Sequence, residues 1–146
     1  MPSVIVREVA SPGAMAELGR LLGMRLTAGD VVLLSGELGA GKTTFMRGVG
    51  EGLGVRGPVT SPTFVIARRH PSTVGGPDLV HADAYRLGGA DEFEDLDIAD
   101  EGAVLCVEWG RERAESLSAR RLEIDIEEIP EGRRVSISGV GREVPL

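Results

Sequence analysis

Apolar and polar positions along this 146-residue chain fall into blocks with different periods. Val31-Val32-Leu33-Leu34 and Ala103-Val104-Leu105-Cys106-Val107 are unbroken apolar runs of strand length, the form taken by strands buried on both faces of a parallel sheet. Leu122-Glu123-Ile124-Asp125-Ile126-Glu127 and Val135-Ser136-Ile137-Ser138 alternate apolar with polar instead. Separated by Pro130-Glu131-Gly132, they predict an antiparallel hairpin at the sheet edge. Val4-Ile5-Val6 begins a further short strand, and Leu79-Val80-His81-Ala82-Asp83-Ala84-Tyr85-Arg86 resumes strand character. Between Arg68-Arg69-His70 and that strand, Pro71-Ser72-Thr73-Val74-Gly75-Gly76-Pro77 has turn chemistry throughout and predicts a mobile surface hairpin or loop.

Helical spacing appears at Met15, Leu18, Leu22 and Leu26. Ser11 before Pro12 supplies an N-cap and a first-turn proline, and Ala28-Gly29-Asp30 ends the segment. A second helix opens at Lys42 and ends near Gly52-Leu53-Gly54, and Gly110 to Leu117 has the look of a short third one. The pattern implies one α/β domain over residues 1–146, with a mainly parallel sheet, helices on both faces and an antiparallel hairpin at the C-terminal edge.

Between the first apolar run and the second helix stands Gly36-Glu37-Leu38-Gly39-Ala40-Gly41-Lys42-Thr43, which fits G-x-x-x-x-G-K-[ST] and makes the sheet P-loop NTPase-like. Glycines remove the Cβ atoms that would keep backbone N–H groups from curling around a phosphate at the positive end of the following helix. Lys42 would reach the β- and γ-phosphates, and the Thr43 hydroxyl would hold Mg²⁺. The chain carries many glycines with which to make such a pattern by accident. Against accident stands one fact: Lys42 is the only lysine, and every other basic position is arginine. Arginine's planar fork does not replace the compact charge such a loop needs.

Other segments offer chemistry around that loop. Thr60-Ser61-Pro62-Thr63-Phe64 places hydroxyls on a proline-stiffened stretch before a strand, where Thr63 can reach Mg²⁺ or a γ-phosphate or serve only as a turn residue. Asp83 stands at the end of its strand, where carboxylates of open α/β sheets face the ligand crevice. Glu108 ends the second apolar run and is the best Walker B candidate, holding Mg²⁺ opposite Thr43. Trp109 follows it, either over the pocket or in the core. The first helix reads as a packing helix, with the alternative that its start, at Ser11, lies over a nucleotide base. His81 and Cys106 read as structural, and the acidic run Asp91 to Glu101 as a solvated helix face or a partner-docking surface.

Composition narrows the function classes. A net charge of −7 is the wrong sign for a broad nucleic-acid grip, and 3% aromatic residues leave little for base stacking. Arginines 68, 69, 111, 113, 120 and 121 read more readily as surface charge than as a tRNA site. One cysteine excludes an internal disulfide and a cysteine-based zinc site. The N-terminus reads as lacking a basic-then-apolar leader and no run reaches the ~20 apolar residues of a membrane span, so a cytoplasmic location is expected. The guanine-reading motif Asn/Thr-Lys-x-Asp needs a second lysine, which disfavours a GTPase.

Taken together, the blocks Gly36 to Thr44, Thr60 to Phe64, His81-x-Asp83-x-Tyr85-Arg86 and Glu108-Trp109 resemble, in order and spacing, the bacterial TsaE family. The resemblance runs from about Met15 to Arg113. It implies a small ATPase with a Mg²⁺ site, required with TsaB and TsaD for threonylcarbamoyladenosine at adenosine 37 of tRNAs reading codons that begin with A, the tRNA being met through that complex. Matched by position, the phosphate loop falls on Glu37, Leu38, Gly39, Ala40, Gly41, Lys42, Thr43 and Thr44, the Mg²⁺ residues on Thr43 and Glu108, and the essential acidic position on Asp83. Asp97 stands where the family usually has glycine, and Gly110 where proline is common.

Three functions fit these residues. The first is ATP hydrolysis by in-line attack of water, oriented by Asp83 or Thr63, with Lys42 and Mg²⁺ neutralising charge. A small-molecule kinase would need an acceptor pocket and an arginine-bearing lid, and neither is evident. A nucleotide-regulated binding module would use ordering of the segment around Thr63 to act on a partner.

Overall fold

A computed structural model describes residues 4–36, 41–56, 67–83, 102–108 and 120–146. These residues form strands β1 (Val4–Val9), β2 (Val31–Gly36), β3 (Ala67–His70), β4 (Asp78–Asp83), β5 (Ala103–Glu108), β6 (Arg121–Ile129) and β7 (Gly132–Val140), with helices α1 (Pro12–Gly23) and α2 (Lys42–Leu53). The strands join in one sheet of order β1-β7-β6-β2-β5-β4-β3. Its centre is parallel: β2 lies between β5 and β6, and β4 lies beside β5. Both flanks are antiparallel, through β3 on β4 and through β7 and β1 beyond β6.

Burial explains that order. All six residues of β5 and the first four of β2 are buried, as central parallel strands require. The alternation in β6 and β7 buries Leu122, Ile124, Ile126, Val135 and Ile137 on one face and leaves the charged positions between them part-exposed. That hairpin is present as its alternation predicts, and β1 adds one more antiparallel strand outside it, with Val4 and Val6 exposed. The segment before His70 pairs antiparallel with β4, register Arg68 to His81, so the turn-rich stretch between them is a hairpin turn. The turn is tied down, contrary to the mobility its composition suggests. The Asp78 carboxylate accepts from Ser72 N and Arg69 Nε, the Ser72 hydroxyl accepts from Gly76 N, and Thr73 N donates to Gly54 O at the end of α2.

Both helices contribute to one core cluster with Val32, Leu34, Leu79, Val104, Cys106 and Ile124, which are alternate positions on one side of the sheet. Val31, Leu33, Leu105 and Val107, on the alternate positions, are buried as well. The helix expected over 110–117 and the acidic run 91–101 lie outside the described residues. Ser11 caps α1, its hydroxyl accepting from Ala14 N at 3.1 Å, with Pro12 in the first turn; Met15, Leu18, Leu22 and Leu26 are all buried. The helix stops at Gly23, a turn earlier than its apolar spacing suggests, and Leu26 reaches the core from the segment beyond.

The two helices touch backbone to backbone. A Cβ on Gly19 would stand 2.2 Å from Phe45 O, one on Gly23 2.3 Å from Val49 O, one on Gly48 2.0 Å from Ala16 O and one on Gly52 2.1 Å from Arg20 O. No side chain fits at these four positions unless the helices separate. Glycine inside a helix costs about 1 kcal/mol relative to alanine; here the cost is offset by dense contact between the two helices. Met15 of α1 consequently lies against Gly41, the residue before α2.

Gly48→Ala is therefore expected to lower stability by roughly 2 kcal/mol despite better helix propensity. Gly13→Ala, whose added Cβ would meet only the Ser11 hydroxyl at 3.8 Å, is expected to be neutral or to stabilise by up to about 1 kcal/mol. The urea unfolding midpoint should fall for Gly48→Ala and hold or rise for Gly13→Ala. Ser11→Ala, which removes the cap, should cost about 1 kcal/mol and Ser11→Gly only a few tenths, by the same measurement.

Candidate functional site

The C-terminal ends of the parallel strands converge on the start of α2. At β2, Gly36 closes the strand, and Ser35 before it donates a short hydrogen bond to the Asp125 carboxylate of β6. The chain is described again at Gly41, whose φ of 111° lies in the left-handed region that favours glycine. Gly41 is the N-cap of α2 and has no side chain to cap it, so among the described residues no side-chain cap meets the first-turn N–H groups. Lys42 is the first helical residue. The residue is only 8% exposed, and its ammonium donates to Gly36 O at 2.8 Å, which links the end of the strand to the start of the helix. Thr43 and Thr44 follow in the first turn, both half-buried.

On the next strand, Glu108 is 5% exposed and stands in register with Leu34 of β2 and with Asp83 of β4. The acidic positions 83 and 108 are thus on adjacent strands at the same end, with backbones about 5 Å apart. Glu108 Oε2 lies 3.3 Å from His81 Nε2, and His81 is fully enclosed. Cys106, one row behind Glu108, has its thiol pushed well up by burial, with the nearby Glu108 and Asp30 charges adding to the effect. It stays a protonated, inert core residue, in agreement with its mid-strand place in the sequence.

A cavity of about 220 Å³ opens beside the loop, between the β1–α1 junction, the start of α2 and the tip of the β6–β7 hairpin. Val9, Pro12 and Met15 give it apolar walls; Ser11, Thr44 and Arg133 line it with polar groups. The hairpin tip reaches it because β7 pairs with β1, register Val9 to Arg133. Gly132 (φ 151°) packs so closely that a Cβ there would be 2.1 Å from Val9 O.

Among the sequence-predicted site residues, the structure brings together Gly41, Lys42, Thr43, Glu108 and, by strand register, Asp83, with Ser11 and Thr44 at the adjoining cavity. Glu37, Leu38, Gly39, Ala40, Thr63 and Trp109 lie outside the described residues, as do Tyr85, Arg86, Asp97, Gly110, Arg111 and Arg113. Gly132 and Arg133 are the residues that sequence reasoning missed. The turn was legible at Pro130-Glu131-Gly132, but its place beside the loop depends on β1 pairing with β7, which no local pattern announces.

The residues present fit a phosphate with a divalent cation. A buried ammonium and an uncapped helix N-terminus suit an anion. A first-turn hydroxyl and a buried carboxylate are the hard oxygen donors that Mg²⁺ takes.

Comparison with known proteins assigns the family. The profile of "Threonylcarbamoyl adenosine biosynthesis protein TsaE" matches residues 9–135. The chain is 58% identical to the tRNA threonylcarbamoyladenosine biosynthesis protein TsaE of Streptomyces coelicolor, over 87% of this chain and 91% of the relative. It is 38% identical to the protein of the same name from Bacillus subtilis, over 90% and 83% of the two chains. The crystal structure of Bacillus subtilis YdiB superposes with a TM-score of 0.78 at 32% identity, covering 97% of this chain and 88% of that one. Among the described residues no helix is long and apolar enough to cross a membrane. On this match over most of its length, the chain belongs to the TsaE family of tRNA threonylcarbamoyladenosine biosynthesis proteins.

Proposed function

We propose that this protein is a Mg²⁺-dependent ATPase that acts with TsaB and TsaD, in the cytoplasm, in forming threonylcarbamoyladenosine at adenosine 37 of tRNAs reading codons that begin with A. The observation that carries the ATPase reading is the Lys42 ammonium, buried at the start of α2 and bonded to Gly36 O, with the Glu108 carboxylate on the adjoining strand. A cation in that seat, in front of uncapped helix N–H groups, is built to exchange one carbonyl oxygen for phosphate oxygens.

In this account the segment Glu37 to Thr44 would bind the phosphates, and Lys42 would move its donor from Gly36 O to the β- and γ-phosphate oxygens. Thr43 and Glu108 hold Mg²⁺, which when bound neutralises charge that develops on the transferring phosphoryl group. Asp83 or Thr63 orients the attacking water. The cavity takes the base: Val9, Pro12 and Met15 offer apolar faces to a flat heterocycle, and Ser11 and Arg133 offer polar contacts at its rim. Burial of Lys42 and Glu108 keeps water away from the charges that act on the phosphates. tRNA is met through the TsaB–TsaD complex, in keeping with the net charge of −7 on this chain.

Phosphate release from ATP, measured alone and with TsaB, TsaD and tRNA, should fall by about 100-fold or more in Lys42→Ala; undiminished turnover would remove the account. Arg133→Ala should weaken ADP binding by about tenfold and leave inorganic triphosphate binding unchanged. Equal loss for both ligands would take the base out of the cavity.

A further inference from the structure

His81 is an unusual residue for its position. It is fully enclosed, on a strand whose neighbours Leu79, Val80 and Ala82 are all buried. Among the described residues neither ring nitrogen has a hydrogen-bond partner. A leucine would fill such a place without burying polar atoms, so packing alone does not account for an imidazole there.

Glu108 stands against Nε2 of His81, with His70 near enough to interact with the ring and Arg68 its cross-strand partner. Alternation puts His81 with Leu79, and Glu108 with Val104 and Cys106, on the helix-bearing side of the sheet. Register pairs His81 with Cys106, so it stands one row behind Glu108 on the adjacent strand. From there Nε2 lies 3.3 Å from Glu108 Oε2. A ring lone pair facing a carboxylate oxygen would be repelled, so a proton is placed on Nε2.

We propose that His81 is a positioning residue: its Nε2–H, set inside the sheet, fixes the Glu108 carboxylate by its Oε2 so that the other oxygen is presented to the divalent cation at the phosphate site. The proposal rests on the reading of Glu108 as a cation-holding residue. Carboxylates that hold metals are commonly oriented by such a partner, and losing it weakens metal affinity by about 10–100-fold.

Three substitutions separate orientation from packing. The amide nitrogen of Gln reaches the position of Nε2, that of Asn the position of Nδ1, and Leu has neither. Mn²⁺ affinity in the presence of ADP, read by electron paramagnetic resonance, should fall at least about tenfold in His81→Leu and His81→Asn and stay within about threefold in His81→Gln. ADP affinity in EDTA, read by fluorescence of a labelled nucleotide, should be unchanged in all three. A folded His81→Leu protein with wild-type Mn²⁺ affinity would overturn the positioning role, as would equal losses in Asn and Gln. A Glu108→Gln protein run in parallel separates the two levels. If it loses Mn²⁺ while the His81 variants do not, only the positioning role fails; if it binds Mn²⁺ as wild type does, the cation reading fails and this proposal with it.

Discussion

The hydrogen bond from the Lys42 ammonium to Gly36 O is the contact on which the site depends. It joins the last residue of the central strand to the first residue of the next helix, across a loop of glycine-rich sequence. A buried ammonium needs an oxygen partner, because leaving it bare would cost several kcal/mol. A carbonyl oxygen in that place can give way to the oxygen of an anion. The nearby carboxylate, Glu108, has His81 beside it.

That arrangement holds only if α2 is fixed, and the fixing is done by glycine. Four glycines let α1 and α2 meet at their backbones, and a helix seated that closely has little freedom to slide or rotate. The same contact brings Met15 onto Gly41 and Ser11 to the edge of the cavity. At the far end, Gly54 with a φ of 79° ends α2, and Thr73 of the β3–β4 turn bonds to its carbonyl. The glycine content, which from sequence alone weakens any motif built on glycine, turns out to carry both the close helix pair and the loop termini.

Much of this was legible in the order of residues because it is local. Unbroken apolar runs marked β2 and β5, strict alternation marked β6 and β7, and a serine before a proline marked the start of α1. The places of Lys42 and Glu108 in the fold were legible for the same reason, Lys42 opening a helix just past a glycine-rich sequence and Glu108 closing an apolar strand. The hidden part is non-local. Nothing in Val4-Ile5-Val6 says that this strand pairs with β7, and so nothing placed Arg133 beside Ser11. The spacing of four between Gly19 and Gly23, and again between Gly48 and Gly52, was in plain view, but only the helix pairing gives it meaning. His81 reads as structural until the register of β4 against β5 puts it behind Glu108.

Because Lys42 is the only lysine, its ammonium can be watched alone. In protein labelled with ¹⁵N at lysine Nζ, one side-chain resonance reports whether that group stays on the Gly36 carbonyl or transfers to a phosphate. On titration with Mg²⁺ and a non-hydrolysable ATP analogue, the resonance should shift saturably, and the shift should reverse when the nucleotide is dialysed away. A resonance that does not move at saturating nucleotide would contradict the seat assigned to Lys42, and with it the phosphate site as a whole.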